Sequence, residues 1–272
     1  MDRNEAVLRE LNLYPLWKRR GAPAPIGTAA AAFHSVSSVS FDKPFGQPVE
    51  PSKAEGPVTG DSAAGEQRTV VVPAEVADKS REQRIGELDW PQLKAMVRNC
   101  TACKLRAGCT QTVFGVGDEQ AEWLFVGEGP GADEDAQGEP FVGQAGKLLD
   151  NMLLAIKLRR GKNAYIANIV KCRPPNNRAP ERDEIATCLP YLQRQIALIK
   201  PKLIVALGKT AATALLERDA TLGSLRGMLH DYHGIPLIVT YHPAYLLRSP
   251  MEKARAWQDL CLAAATMQKV QR

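Results

Sequence analysis

The stretch WLFVGEGPGADEDAQGEPFVGQAGKLLDNML, residues 123 to 153, restricts the fold more than any other part of the chain. It reads as a buried strand over Trp123 to Val126, then a Gly/Pro-rich acidic turn from Gly127 to Gly143. A helix follows, opening near Gln144 with apolar residues at helical spacing. Loops that leave the carboxyl end of a parallel strand and enter a helix are where α/β proteins bind ligands, because free N–H groups at the helix amino end converge there. Function is therefore expected in this turn.

The surrounding sequence supports that architecture. Residues 88 to 98 (LDWPQLKAMVR) predict a helix capped by Asp89, with Pro91 in its first turn and Leu93, Met96 and Val97 on one face. Apolar strands are expected at Ala164 to Val170, Leu203 to Leu207 and Pro236 to Thr240. Between and after them come helices at about 182 to 200, 209 to 216 and 251 to 270. This alternation predicts an α/β fold: three αβα layers around a central, mostly parallel four-stranded sheet.

That domain is expected to span residues 80 to 272. Residues 21 to 79 are rich in Ala, Pro, Ser and Gly, with few large apolar side chains, and predict a disordered linker. Residues 1 to 20 contain a short amphipathic pattern (Val7, Leu8, Leu11, Leu13) ending in Pro15-Leu16-Trp17 and basic residues. A peptide this short cannot bury its apolar face alone, so it either packs on its own domain or docks on another protein.

Net charge is +5, a mild basic bias that permits a polyanionic partner without requiring one. The chain has no apolar run of bilayer length and no secretory pattern at its amino end, so it is read as a cytoplasmic monomer with no membrane contact. In a reducing compartment the six cysteines are better read as metal ligands, catalytic groups or small core residues than as disulfides. Cys100 and Cys103 form a C-x2-C pair, the spacing at which one loop offers two sulfurs to one metal centre. Cys172 and Cys188 lie far downstream with fifteen residues between them. A structural zinc would ordinarily repeat the C-x2-C in its second half. Cys109 and Cys261 read as isolated buried thiols, yet Cys109 lies so near Cys103 that spacing alone does not choose the fourth ligand.

Two motifs are excluded. Gly208-Lys209-Thr210 follows a strand, but a phosphate loop needs a glycine where Leu203 stands. Gly127, Gly129 and Gly131 are a broken dinucleotide fingerprint, and Asp133, Glu134 and Asp135 would repel a pyrophosphate.

Three segments together resemble one family: GEGPGADEDAQGEPFVGQAG (127 to 146), YIANIVKCRPPNNRAP (165 to 180) and YHPAYLLRSP (241 to 250). They are similar to the family 4 uracil-DNA glycosylases, the iron–sulfur branch of the uracil-DNA glycosylase superfamily. The resemblance implies excision of uracil from DNA by hydrolysis, leaving an abasic site, and a structural [4Fe–4S] cluster on Cys100, Cys103, Cys172 and Cys188. It implies a base pocket in which Phe141 stacks on uracil and Asn168 reads N3–H and O4. His242, with backbone N–H groups near Gly127 to Gly129, would donate to O2. Better-known branches have an aspartate where Gly129 stands, while Glu128 resembles a residue important for activity. Glu134 and Asn177 look like a pair that narrows the pocket beside C5 of the base. Leu246, Leu247 and Arg248 would form a loop tip entering the duplex, or else pack as the start of the last helix, and Lys171, Arg173 and Arg178 would meet phosphates. Residues 1 to 20 faintly resemble the amino-terminal peptide of the psi subunit of the bacterial replicative clamp loader, which docks on the chi subunit. A catalytically inactive, replication-associated DNA-binding adaptor with the same fold is the competing reading. A zinc-stabilised nucleotide hydrolase is a third, and it predicts a colourless protein.

Overall fold

The computed structural model describes residues 80–271. The expected partner-docking peptide and linker lie outside the described residues. Within them, six strands form one sheet in the order β1-β3-β2-β4-β6-β5. The four predicted strands are its parallel centre: β2 (Trp123–Gly127), β3 (Ala164–Asn168), β4 (Leu203–Leu207) and β6 (Ile235–Thr240). Two antiparallel edge strands, β1 (Val116–Gly117) and β5 (Leu229–Tyr232), raise the expected four to six. Neither edge carries a pattern visible in sequence. β1 is two residues long, and β5 (LHDY) presents three of its four residues wholly or partly to solvent.

All five residues of β2, β3 and β4 are buried, as strands covered on both faces must be. Alternate residues separate the two faces. Leu124, Val126, Tyr165, Ala167, Ile204 and Ala206 pack towards helices α1 (Arg81–Glu87), α2 (Trp90–Arg98) and α6 (Arg182–Ile199). Trp123, Phe125, Ile166 and Val205 pack towards α5 (Gln144–Ala155) and α10 (Lys253–Val270). Each such side chain stabilises the fold by about 1.5–3 kcal/mol when fully buried. The predicted cap of α2 forms as a reciprocal pair: the Gln92 N–H donates to Asp89 Oδ1 at 2.9 Å and the Asp89 N–H to Gln92 Oε1 at 3.1 Å.

The remaining helices are short: α3 (Leu105–Gly108), α4 (Ala132–Gln137), α7 (Lys209–Leu216), α8 (Leu222–Leu225) and α9 (Pro243–Arg248). The last predicted helix is preceded by a separate 3₁₀ turn, Pro250–Glu252. α4 lies inside the segment read as a turn; its sequence ADEDAQ has no apolar periodicity to betray it. Its first turn carries Asp133, Glu134 and Asp135, where the helix dipole favours negative charge. Asp133 is exposed, whereas Asp135 is buried and accepts from the backbone N–H groups of Thr110 (2.9 Å) and Gln111 (3.3 Å). Cys261 is exposed rather than buried.

Register then places the site. Gly127 lies opposite Asn168 and Leu207 opposite Thr240, so the carboxyl ends of the four parallel strands align and their loops share one edge.

Candidate active site

At that edge opens a cavity of about 400 Å³. Nine of the residues singled out from sequence line it: Glu128, Gly129, Glu134, Phe141, Asn168, Asn177, Arg178, His242 and Arg248. They come from the segments that follow β2, β3 and β6, helices α4 and α9 included, and the sheet register brings them together.

Gly127 lies behind the wall. A Cβ there would sit 2.4 Å from Asn168 Oδ1 and 2.6 Å from Phe141 Cζ, so only glycine lets the amide and the ring meet. Asn168 is buried at the end of β3, and its Oδ1 has no hydrogen-bond partner. An orphaned buried acceptor costs about 1–3 kcal/mol, a cost that a ligand N–H would remove.

Phe141 has a left-handed backbone (φ 56°), which costs of order 1–3 kcal/mol for a residue with a side chain. Arg160 holds it there. Its guanidinium donates to the carbonyls of Pro140 (2.8 Å) and Phe141 (2.7 Å), and its Nε to Asp150 Oδ1 (3.0 Å). Gly146 leaves room for the Phe141 carbonyl, since a Cβ would fall 1.7 Å from that oxygen. Glu134 ties the rest of the loop: its carboxylate accepts from the N–H groups of Gly131 (3.0 Å), Val142 (3.0 Å) and Gly143 (3.3 Å).

His242 follows β6 and caps α9. Its Nδ1 accepts from the Ala244 N–H at 3.2 Å, so in the neutral ring the proton sits on Nε2. Burial, aided by the nearby Arg248 charge and opposed by Glu134, pushes its pKa down to about 4. The imidazole is therefore neutral at physiological pH and a donor through Nε2. Its ring stacks near that of Phe141, with centroids 5.4 Å apart and planes at 29°. Glu128 accepts from the hydroxyl of Thr210 at the start of α7.

Three expectations change. Leu246 is 1 % exposed and packs with Leu148, Met152 and Leu260, so it is core and not a tip that enters DNA; Leu247 beside it is 44 % exposed. The reason is helical: Leu246 lies on the face of α9 that meets α5 and α10. Lys171 is 1 % exposed and reaches no phosphate. Arg178 forms a bidentate pair with Glu184 (2.8 and 2.7 Å), which holds that carboxyl down to about 2, so its charge is largely spent within the protein. Asn177 Oδ1 accepts from Arg173 Nε at 2.7 Å. Sequence reasoning missed Arg160, which carries no motif signal, Thr210, which it met only in a rejected phosphate-loop pattern, and Tyr245, which lies inside a quoted motif.

A second, smaller space is lined by Cys100, Cys103, Cys172 and Cys188, with Val97, Leu105 and Tyr191 among its walls. Cys109 stands beside Cys172 and does not line it. Burial and neighbouring thiols push Cys188 up to about 11 and Cys172 higher still, so four thiolates would coexist here only around a cationic centre. Among the described residues, no three His, Cys, Asp or Glu side chains converge on a single-ion position. The donor set, four soft sulfurs with Val97 and Leu105 beside them and the basic side chains Arg81, Arg106 and Lys171 in the same wall, fits an anionic cluster bound through thiolates.

Parallel strands sandwiched by helices thus carry a carboxamide, an aromatic ring and a neutral imidazole around one cavity at their carboxyl ends. A model of the Uracil DNA glycosylase superfamily matches residues 114–261, and the chain belongs to that superfamily. It is 42 % identical over 185 residues to the Type-4 uracil-DNA glycosylase of Pyrobaculum aerophilum, covering 64 % of this chain and 93 % of that relative. It is 45 % identical over 161 residues to the Type-4 uracil-DNA glycosylase of Thermotoga maritima, covering 58 % and 83 %. A Type-5 uracil-DNA glycosylase of Pyrobaculum aerophilum is 30 % identical over 148 residues, covering 48 % and 64 %. No helix among the described residues is long and apolar enough to cross a membrane.

Proposed function

We propose that this chain is a uracil-DNA glycosylase of the type-4 kind: it flips uracil out of DNA and hydrolyses the N-glycosidic bond, leaving an abasic site for base excision repair. The observation that carries the reading is the orphaned Oδ1 of Asn168 in the wall of a cavity that also holds a neutral His242.

A base inside a duplex is out of reach, so it must leave the stack at a cost of a few kcal/mol, least at a mismatch such as uracil opposite guanine. The flipped ring stacks on Phe141. Asn168 Oδ1 accepts from uracil N3–H and its amide N–H donates to O4. Cytosine presents the opposite pattern at both atoms, and a site built for one pattern rejects the other by about 10⁴ or more. As the bond to the sugar breaks, negative charge gathers on uracil O2. His242 Nε2–H meets it without first losing or gaining a proton, a contribution of about 3–4 kcal/mol for one preorganised donor.

No carboxylate stands at Gly129 to take a proton from the attacking water. Glu128, adjacent in sequence, lines the wall, and its bond to Thr210 orients it. Glu134 and Asn177 border the C5 side and exclude the thymine methyl, with Glu134 also closing the loop that presents Phe141. Leu247 enters the space the base vacates, and Arg248 meets the backbone phosphates. A [4Fe–4S] cluster on Cys100, Cys103, Cys172 and Cys188 would join the 100–103 loop to the 172–188 segment and supply rigidity. The same proposal has the protein act as a monomer in the bacterial cytosol and nucleoid, with residues 1 to 20 offered to a replication partner. A pull-down that is the same with and without residues 1 to 20 would remove that last point.

The test is incubation with a uracil-containing oligonucleotide followed by alkali. Cleavage at the uracil position is expected, and its loss in folded Asn168→Ala and His242→Ala proteins. Uracil release at the parent rate by both variants sinks the assignment, and no release by the parent favours the inactive adaptor.

A further inference from the structure

Lys171 is fully buried between the base cavity and the cysteine cavity, and nothing assigned so far uses it. Its Nζ donates to the backbone carbonyl of Asn168 at 2.9 Å and to Gln195 Oε1 at 2.6 Å. Gln195 is itself oriented, its Nε2 donating to the Phe114 carbonyl at 3.0 Å and towards the Tyr165 hydroxyl at 3.4 Å. Both acceptors of the ammonium are neutral dipoles, and no carboxylate among the described residues forms an ion pair with it. A buried cation satisfied only by dipoles is costly and calls for a nearby negative charge. The four-cysteine cavity, whose wall Lys171 shares, is where one would arise: a cluster held by four thiolates is net anionic. The Lys171 backbone N–H already donates to Cys188 Sγ at 3.3 Å.

The other end of the side chain bears on catalysis. Asn168 Oδ1 has no protein partner, so hydrogen bonds to that oxygen cannot aim the amide. The aim comes from packing beside Gly127 and Phe141 and from the backbone that carries the residue. The Ile169 N–H donates to the Gly127 carbonyl (3.0 Å) and the Val170 N–H to that of Glu128 (3.2 Å), and Lys171 closes the carbonyl side.

We propose that Lys171 is a positioning residue that couples the two cavities: its ammonium is the fully buried counter-charge of the cysteine-bound cluster, beside Arg81 and Arg106 in the same wall, and at the same time anchors the strand end that aims Asn168 at the base. The proposal rests on the reading of both cavities given above.

Parent, Lys171→Arg, Lys171→Gln and Lys171→Met proteins, purified without oxygen, test it. Iron content and broad visible absorption of the parent come first; a colourless, iron-free parent defeats the cluster reading itself. With the cluster present, its reduction potential should move to more negative values in the Gln and Met proteins, which lack the charge, and less in the Arg protein. The same potential in all four overturns the counter-charge. Single-turnover uracil release should fall by about 10²-fold in Lys171→Met, from misaimed Asn168, with DNA affinity unchanged. Lys171→Gln, which keeps an N–H donor, should recover most of that loss. A parent-like rate in Lys171→Met overturns the positioning role. If Lys171→Met does not fold, the potentials of the Gln and Arg proteins decide: a Gln potential equal to the parent's overturns the proposal. A parent that holds the cluster but releases no uracil defeats the excision reading, while the potentials still test the charge.

Discussion

The neutral state of His242 makes a sharp prediction about pH. Its Nδ1 is occupied by the Ala244 N–H, and burial with the Arg248 charge depresses its pKa to about 4. At pH about 5.5 such a group is roughly 97 % neutral, whereas an ordinary histidine of pKa about 6.5 would be only about 9 % neutral. Single-turnover uracil release is therefore expected to be flat from pH about 8 to about 5.5, and to fall only towards pH 4. Loss of the donor in His242→Ala should cost about 3–4 kcal/mol, or 10² to 10³ in rate, at every pH in that window. Arg248→Gln removes a charge that lowers the pKa and should move the acid limb to higher pH. Single turnover with excess enzyme on a short uracil oligonucleotide isolates the bond-breaking step from product release. A rate that rises on acidification with a midpoint near pH 6.5 would refute the argument, because the imidazolium would then be the working form. Stability follows the same sign. The folded state binds fewer protons than the unfolded between pH 6.5 and 4, so His242 makes the protein less stable as pH falls through that window, by about 3 kcal/mol at most.

Other perturbations read other parts of the site. Gly127→Ala puts a methyl 2.4 Å from Asn168 Oδ1 and should reduce uracil release by at least about tenfold, for a stability loss of about 1–3 kcal/mol in urea titration; an unchanged rate would show that the amide and ring tolerate separation. Leu246→Ala should cost about 2–5 kcal/mol of stability, whereas Leu247→Ala should leave stability within about 0.5 kcal/mol and weaken release from duplex more than from single-stranded DNA. The reverse pattern would restore Leu246 as the wedge. Arg160→Met frees the Pro140 and Phe141 carbonyls and should raise KM more than it lowers kcat, because in the proposed reading Phe141 stacks on the base before the bond breaks. An unchanged KM would show that Phe141 keeps its left-handed backbone without the clamp.

Much of this protein was legible in one dimension, and the reasons are local. An apolar run as short as Leu203 to Leu207 reads as a strand buried on both faces, and Asp89 announces a helix start through bonds made within four residues. The motifs around Gly127, Asn168 and His242 stand out because each needs a particular residue at a strand end. What sequence could not show depends on partners distant along the chain. The short edge strands exist only because β3 and β6 offer unpaired edges, and α4 because Gly131, Val142 and Gly143 converge on Glu134. Basic residues look alike on paper: Lys171 and Arg178 read as phosphate contacts and Arg160 carried no signal, yet each is committed within the protein to carbonyls, an amide or a carboxylate. Leu246 and Leu247 are adjacent and identical in kind, and only the rotation of one short helix against α5 and α10 assigns the first to the core and the second to solvent. The chemical identity of the site's residues was thus set by the sequence, through local chemistry. Their protonation, aim and exposure were decided by the tertiary structure, because those depend on which dipoles, charges and surfaces the fold brings alongside.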